Sequence, residues 1–172
     1  QGLLLYIPAA TGMVILAEPG ITLVFGSEYQ GAVPVLQIFS VFAVLQAITK
    51  LTSHGLDFLG RARERAIAKI ITALLNVVLN IILIPEIGVV GAAFATVITF
   101  ALYTVFNVYV MSRELELRWS WILRQTGYTI GVSFLMAGAI FPFSGSVTGF
   151  FTLFAIVGLW ILVWVLLVLG LG

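Results

Sequence analysis

Apolar runs long enough to cross a bilayer are the strongest constraint on this chain. A spanning helix needs about 20 apolar residues. With polar loops and Gly/Pro punctuation as dividers, such runs fall at residues 2–25, 33–59, 66–84, 89–111, 121–141 and 147–169. Only 9% of the 172 residues are charged and 62% are hydrophobic. A soluble domain carries roughly a quarter charged residues, and a soluble core of this size could not bury so much apolar surface. The composition argues against a soluble enzyme and predicts no nucleic-acid partner. It predicts an all-α integral membrane protein, a bundle of about six transmembrane helices surrounded by membrane lipids.

The first run contains Pro8 and ends near Glu18-Pro19-Gly20. Proline is tolerated in a spanning helix but usually kinks it. The chain opens with Gln1 directly inside an apolar run, with no basic flank before it. That run is too long for a signal-peptide core, so the sequence reads as a piece whose N-terminal part lies outside it. Cysteine is absent, which removes disulfides and thiolate metal sites; no metal site is predicted.

The placement of charge predicts topology. Asp57, Arg61, Arg63, Glu64, Arg65 and Lys69 cluster in one window, and Arg113, Glu114, Glu116, Arg118 and Arg124 in another. Alternating spans put both windows on the same side. The opposite loops, 26–32, 85–88 and 142–146, contain no Lys or Arg. The positive-inside rule makes the basic side, loops 60–69 and 113–124, cytoplasmic. The expected location is the cytoplasmic membrane, crossed several times. Trp119 and Trp121 suit an interfacial anchor, whereas Trp160 and Trp164 fall mid-span and face lipid or packing partners.

The second run carries the most polar chemistry. At about 100° per residue, Gln46, Lys50, His54 and Asp57 fall within an arc about 80° wide. Ser53 borders the same face, and Gln37 lies opposite. Lys50 is the only basic residue well inside a run. A charge there costs at least about 2.5–3.5 kcal/mol unless it is paired, hydrated or neutral. One reading is a water-accessible cavity wall, formed by Gln46, Lys50, Ser53, His54 and Asp57, that binds an anionic group. His54 and Asp57 would then relay protons or couple an ion, proton or sodium. The plainer reading pairs Lys50 with Asp57, about 10 Å along the axis, or with a carboxylate beyond this sequence.

Other polar residues carry weaker signals. Asn76 and Asn80 lie one turn apart on the third run. Thr96, Thr99, Tyr103 and Asn107 form a stripe on the fourth. Such groups often bond neighbouring helices; that is the favoured reading here, over a sugar-contacting surface. Gly91 with Ala95, and Gly127 with Gly131, are small pairs that let helices approach closely. Arg61, Arg63, Arg65 and Lys69 form a basic rim that sets topology and meets anionic headgroups. A sharper reading makes them a phosphate-capturing edge, since Arg suits phosphate contacts. No catalytic set emerges. His54 is the sole histidine, and Ser53 and Asp57 share its helix, so they cannot converge on it as a triad. No cofactor is implied.

Several of these residues stand in a familiar order: Leu23-Val-Phe-Gly-Ser-Glu-Tyr29, Gly55-Leu-Asp-Phe-Leu-Gly-Arg61, Asn76-Val-Val-Leu-Asn80, Leu83-Ile-Pro-Glu-Ile-Gly88 and Gly91-Ala-Ala-Phe-Ala-Thr96. The order resembles the C-terminal half of polysaccharide-biosynthesis flippases of the Wzx/RfbX type. These belong to the multidrug/oligosaccharidyl-lipid/polysaccharide exporter superfamily. The resemblance covers residues 15–112; the last two runs match in hydropathy alone. It implies one lobe of a two-lobed transporter. Residues 1–112 would supply four spans of the C-terminal lobe and residues 113–172 two more. The N-terminal lobe, outside this sequence, would be the partner across a central cavity. Alternating access would move a polyprenyl-linked oligosaccharide across the membrane. The alternative is another transporter of the superfamily, a lipid II flippase or a cation-coupled drug exporter.

Overall fold

The computed structural model describes residues 2–114 and 149–170, together with 127, 128, 131, 133, 137 and 138 between them. The chain is all-helical over these residues: α1 Gly2–Ile15, α2 Ala17–Phe25, a 3-10 turn Ser27–Ala32, α3 Val33–Phe58, α4 Ala62–Ile87, α5 Val89–Glu114 and α6 Phe150–Gly170. Helices α3, α4 and α5 are each long and apolar enough to cross a membrane, and α1 with α2 is a bent apolar pair, the form of a broken span or a re-entrant loop. The sixth apolar run appears as the 21-residue α6. Most of the fifth run, with Trp119 and Trp121, lies outside the described residues. The protein is thus a multi-pass, all-α membrane bundle, as the apolar runs predict.

The first span departs from expectation in where it bends. Helix α1 continues through Pro8, and the chain turns by 64° between Ile15 and Ala17. Pro19 explains the position. It has no N–H to donate to the Ile15 carbonyl, and its ring would collide with that carbonyl. The ladder resumes with the Gly20 N–H donating to the Leu16 carbonyl at 2.9 Å.

Helix α4 is longer than its apolar run at both ends. It begins inside the charged window and carries Pro85 in its last turn. The reversal into α5 needs a single residue, Gly88, at φ +63°, a conformation that side chains with a Cβ resist. The N–H of Gly88 donates to the Ile84 carbonyl at 2.8 Å. A Cβ on Gly91 would lie 2.4 Å from the Leu83 carbonyl oxygen, so the close approach expected of Gly91 and Ala95 is present. Gly127 and Gly131 face no described atom within 4 Å.

Helices α3 and α5 run parallel. Phe42 meets Phe100 with ring centroids 4.6 Å apart, and Thr49 meets Thr104 further along. Beyond them Gly55 faces Met111. Buried residues on these two helices are mostly small or polar, among them Ala47, Thr49, Thr52, Ala95 and Thr104. Small residues bring backbones close where lipid offers no hydrophobic drive between helices. Helix α1 packs on α3. Trp160 of α6 packs on α1 at Gly12, where a Cβ would sit 3.2 Å from the indole ring. Outside these seams α4 exposes Ile67, Ile70, Ile71, Leu74, Val77, Val78 and Ile81. Such a face suits hydrocarbon or further helices, not water.

Candidate functional site: the polar face of α3

Lys50 stands about 12 Å along the helix axis from the C-terminal end of α3, well inside its span. The side chain is exposed, as is that of His54, while Gln46 and Ser53 are half-buried. Lys50 Nζ donates to Tyr6 Oη of α1 at 2.9 Å. The same nitrogen is 5.5 Å from the Tyr6 ring centroid. The ammonium therefore sits beyond the hydroxyl at the ring's edge. Its partner is the phenol oxygen rather than the π face that a cation prefers to cover.

Asp57 does not pair with Lys50. Its Oδ1 is 2.7 Å from Arg65 Nη2 of α4, which draws it to the end of the bundle. There Arg61 forks between two carboxylates. Its Nη1 donates to Glu64 Oε1 at 2.8 Å and its Nη2 to Glu114 Oε1 at 2.5 Å. The second bond ties the α3–α4 link to the end of α5, so the Asp57–Lys69 window and Arg113 lie at one end of the bundle. Hydrogen bonding to Glu64, then to Glu114, raises the Arg61 pKa above its ordinary value. An open cleft of about 370 Å³ lies beside it, lined by Arg61, Glu64, Tyr109, Val110, Arg113 and Glu114. The basic rim is thus of two kinds. Arg61 and Arg65 are engaged internally, whereas Arg63 and Lys69 are exposed and form no ion pair among the described residues.

The polar residues of α4 and α5 act mainly between or within helices. Asn76 Nδ2 donates to Thr99 Oγ1 at 3.2 Å, and Asn80 Nδ2 donates to Asn76 Oδ1 at 2.9 Å. Thr96 donates back to the Ala92 carbonyl at 2.9 Å. Tyr103 and Asn107 are buried on α5. Asn107 Nδ2 donates to the Tyr103 carbonyl at 2.9 Å, while its Oδ1 meets no partner among the described residues.

Three residues, a threonine pair and a tyrosine, are missing from the sequence reading. Thr49 and Thr104 share a buried hydrogen bond of 2.7 Å between α3 and α5. Threonine is common in spans, and each residue lies just off the stripe on its own helix. Tyr6 is the third. Its partner is 44 residues away, and no polar neighbour on α1 marks its face.

The profile of the family described as Lipid II flippase MurJ matches residues 1–161. The match extends past the motif-bearing stretch into the last helix. The chain is 35% identical, over 82% of its length, to a Haloferax volcanii protein described as a probable low-salt glycan biosynthesis flippase, and covers 29% of that protein. It is 30% identical, over 70% of its length, to an uncharacterized membrane protein of Methanocaldococcus jannaschii, covering 24% of it. The chain therefore spans under a third of the length of these curated relatives. No solved structure matches it. By the profile match, which takes in all the described helices but the end of α6, the chain belongs to the MurJ lipid II flippase family.

Proposed function

We propose that this chain is part of a flippase that moves a polyprenyl-linked oligosaccharide across the cytoplasmic membrane by alternating access. Residues 1–112 would provide four spans of one lobe and residues 113–172 two more, facing an N-terminal lobe across the cavity. The observation that carries the substrate class is Lys50, an exposed cation inside a span with a neutral partner. A diphosphate-linked glycan cannot cross hydrocarbon unaided, because its charges would be unpaired there. A hydrated groove with a cation removes that cost, and transporter sites commonly lie near the midplane between lobes. Gln46, Ser53 and His54 would add hydrogen bonds along the same face. Asp57 would act at the end of the bundle, with Arg65.

The family description favours lipid II as the cargo, and the haloarchaeal relative's description favours another lipid-linked glycan, as does the Wzx/RfbX-like order of residues. For either cargo, the group that Lys50 would meet is a lipid-borne phosphate or diphosphate. A cation-coupled drug exporter fits less well, because it calls for a buried carboxylate. Here the carboxylates of the described residues lie at helix ends or at the α1–α2 bend. Positive-inside placement would put Arg63 and Lys69 at the cytoplasmic face, beside anionic headgroups.

The test is Lys50→Ala in the full-length transporter. Glycan export should fall by about tenfold or more, as expected when a charge-assisted contact is lost, with membrane insertion unchanged. Normal export would overturn the anionic-site reading.

A further inference from the structure

Lys50 and Tyr6 pose a chemical question. A Lys side chain inside a span usually meets a carboxylate, a backbone carbonyl or water. Here the described acceptor is a phenol from another helix, at 2.9 Å. A carboxylate would cancel the charge; a neutral hydroxyl fixes the ammonium in place and leaves its charge intact. The ammonium carries three N–H donors. Tyr6 takes one, and the exposure of Lys50 leaves the others open to a ligand. A Lys stem is long and flexible, so holding its tip beforehand reduces the ordering cost when a ligand binds.

We propose that Tyr6 is a positioning residue for Lys50: its phenol oxygen holds the exposed ammonium where α1 meets α3, ready for a phosphate or diphosphate group. This inference rests on the anion-site reading of Lys50 given above. It adds a residue of α1 to that site, and it makes the packing of α1 on α3 part of substrate recognition. Trp160 of α6 packs on the same helix at Gly12, six residues beyond Tyr6.

The experiment is protection of Lys50 from an amine-acylating reagent, read by peptide mass spectrometry on the full-length protein in phosphatidylcholine vesicles. Lys69, exposed about two turns into α4 and without an ion pair among the described residues, is the internal control. Inorganic pyrophosphate probes the diphosphate group itself. Vesicles doped with a long-chain polyprenyl diphosphate probe its lipid-borne form. Protection of Lys50 by either probe supports the site. In Tyr6→Phe the midpoint of protection should rise about tenfold, the factor expected for one hydrogen bond to a charged group, with Lys69 labelling unchanged. Equal midpoints in the parent and Tyr6→Phe would overturn the positioning role while the Lys50 site stands. Protection by neither probe would overturn the site and the positioning role together. Should Tyr6→Phe insert poorly, Tyr6→Trp, which also lacks the phenol oxygen, carries the same comparison. A merely structural role for Tyr6 would lower thermal stability without moving the midpoint.

Discussion

The two charged regions of this bundle treat their cations differently. At the end of the bundle, Arg61 and Arg65 are answered by carboxylates: Glu64, three residues on, and Glu114 of α5 for one, Asp57 of α3 for the other. Inside the span of α3, Lys50 is answered by a phenol. The burden runs the other way, because charge costs most where hydrocarbon surrounds it. A carboxylate within reach would have been the simplest remedy, and the nearest on the same face, Asp57, is turned to Arg65. The cluster at the end is self-neutralising and fits a fastening of α3, α4 and α5. The cation inside α3 has no carboxylate partner among the described residues and fits a site.

That contrast can be broken or sharpened in order of expected effect. The largest concerns water access. Single cysteines at positions 46, 50 and 54 should react with a water-soluble maleimide. Cysteines at positions 49 and 52, on the buried seam with α5, should stay inert under the same conditions. Equal reactivity on the two faces would dissolve the distinction between groove and seam.

A smaller effect is expected at the charged end. Arg61→Ala should leave glycan export within about twofold of the parent, since exposed ion pairs contribute little and are screened by salt. Its trace should be a modest loss of thermal stability, greatest at low salt. A collapse of export to the level of Lys50→Ala would place the end cluster in the transport path and erase the contrast.

The smallest is at Thr49. Thr49→Val removes the bond to Thr104, but Thr104 keeps its donation to the Phe100 carbonyl at 2.8 Å. The expected loss is about 0.6 kcal/mol, typical of a polar contact between membrane helices, measured by unfolding in mixed detergent. A loss several times larger would mean that the α3–α5 seam depends on its hydrogen bonds more than on close packing.

How much of this was legible in sequence follows from what each signal measures. Hydropathy marks a segment that spans, and α3, α5 and α6 appear close to where their apolar runs place them. Charge windows mark an end, and the Arg61–Glu114 bond brings the first window to Glu114, at the described start of the second. Helical periodicity sorted Gln46, Lys50, Ser53 and His54 onto one face. It could not say which helix that face would meet, so Tyr6 stayed hidden. The same limit concealed the Thr49–Thr104 pair and let Asp57 be read as a partner for Lys50. The bend of the first span was ambiguous for another reason. Pro8 and Pro19 are both breakers, but only Pro19 sits where the chain turns. Pro8 lies in the early turns of α1, which continues through it.

The central claim is that the charge of Lys50 serves an anionic headgroup. Its most direct measurement is the flipping rate of a lipid-linked oligosaccharide in vesicles holding the full-length transporter with Lys, Arg or Met at position 50. Lys50→Arg keeps the charge and should retain most of the rate. Lys50→Met keeps the apolar bulk without the charge, and should lower the rate about tenfold or more. Equal rates for Lys50→Arg and Lys50→Met, both close to the parent's, would contradict the claim.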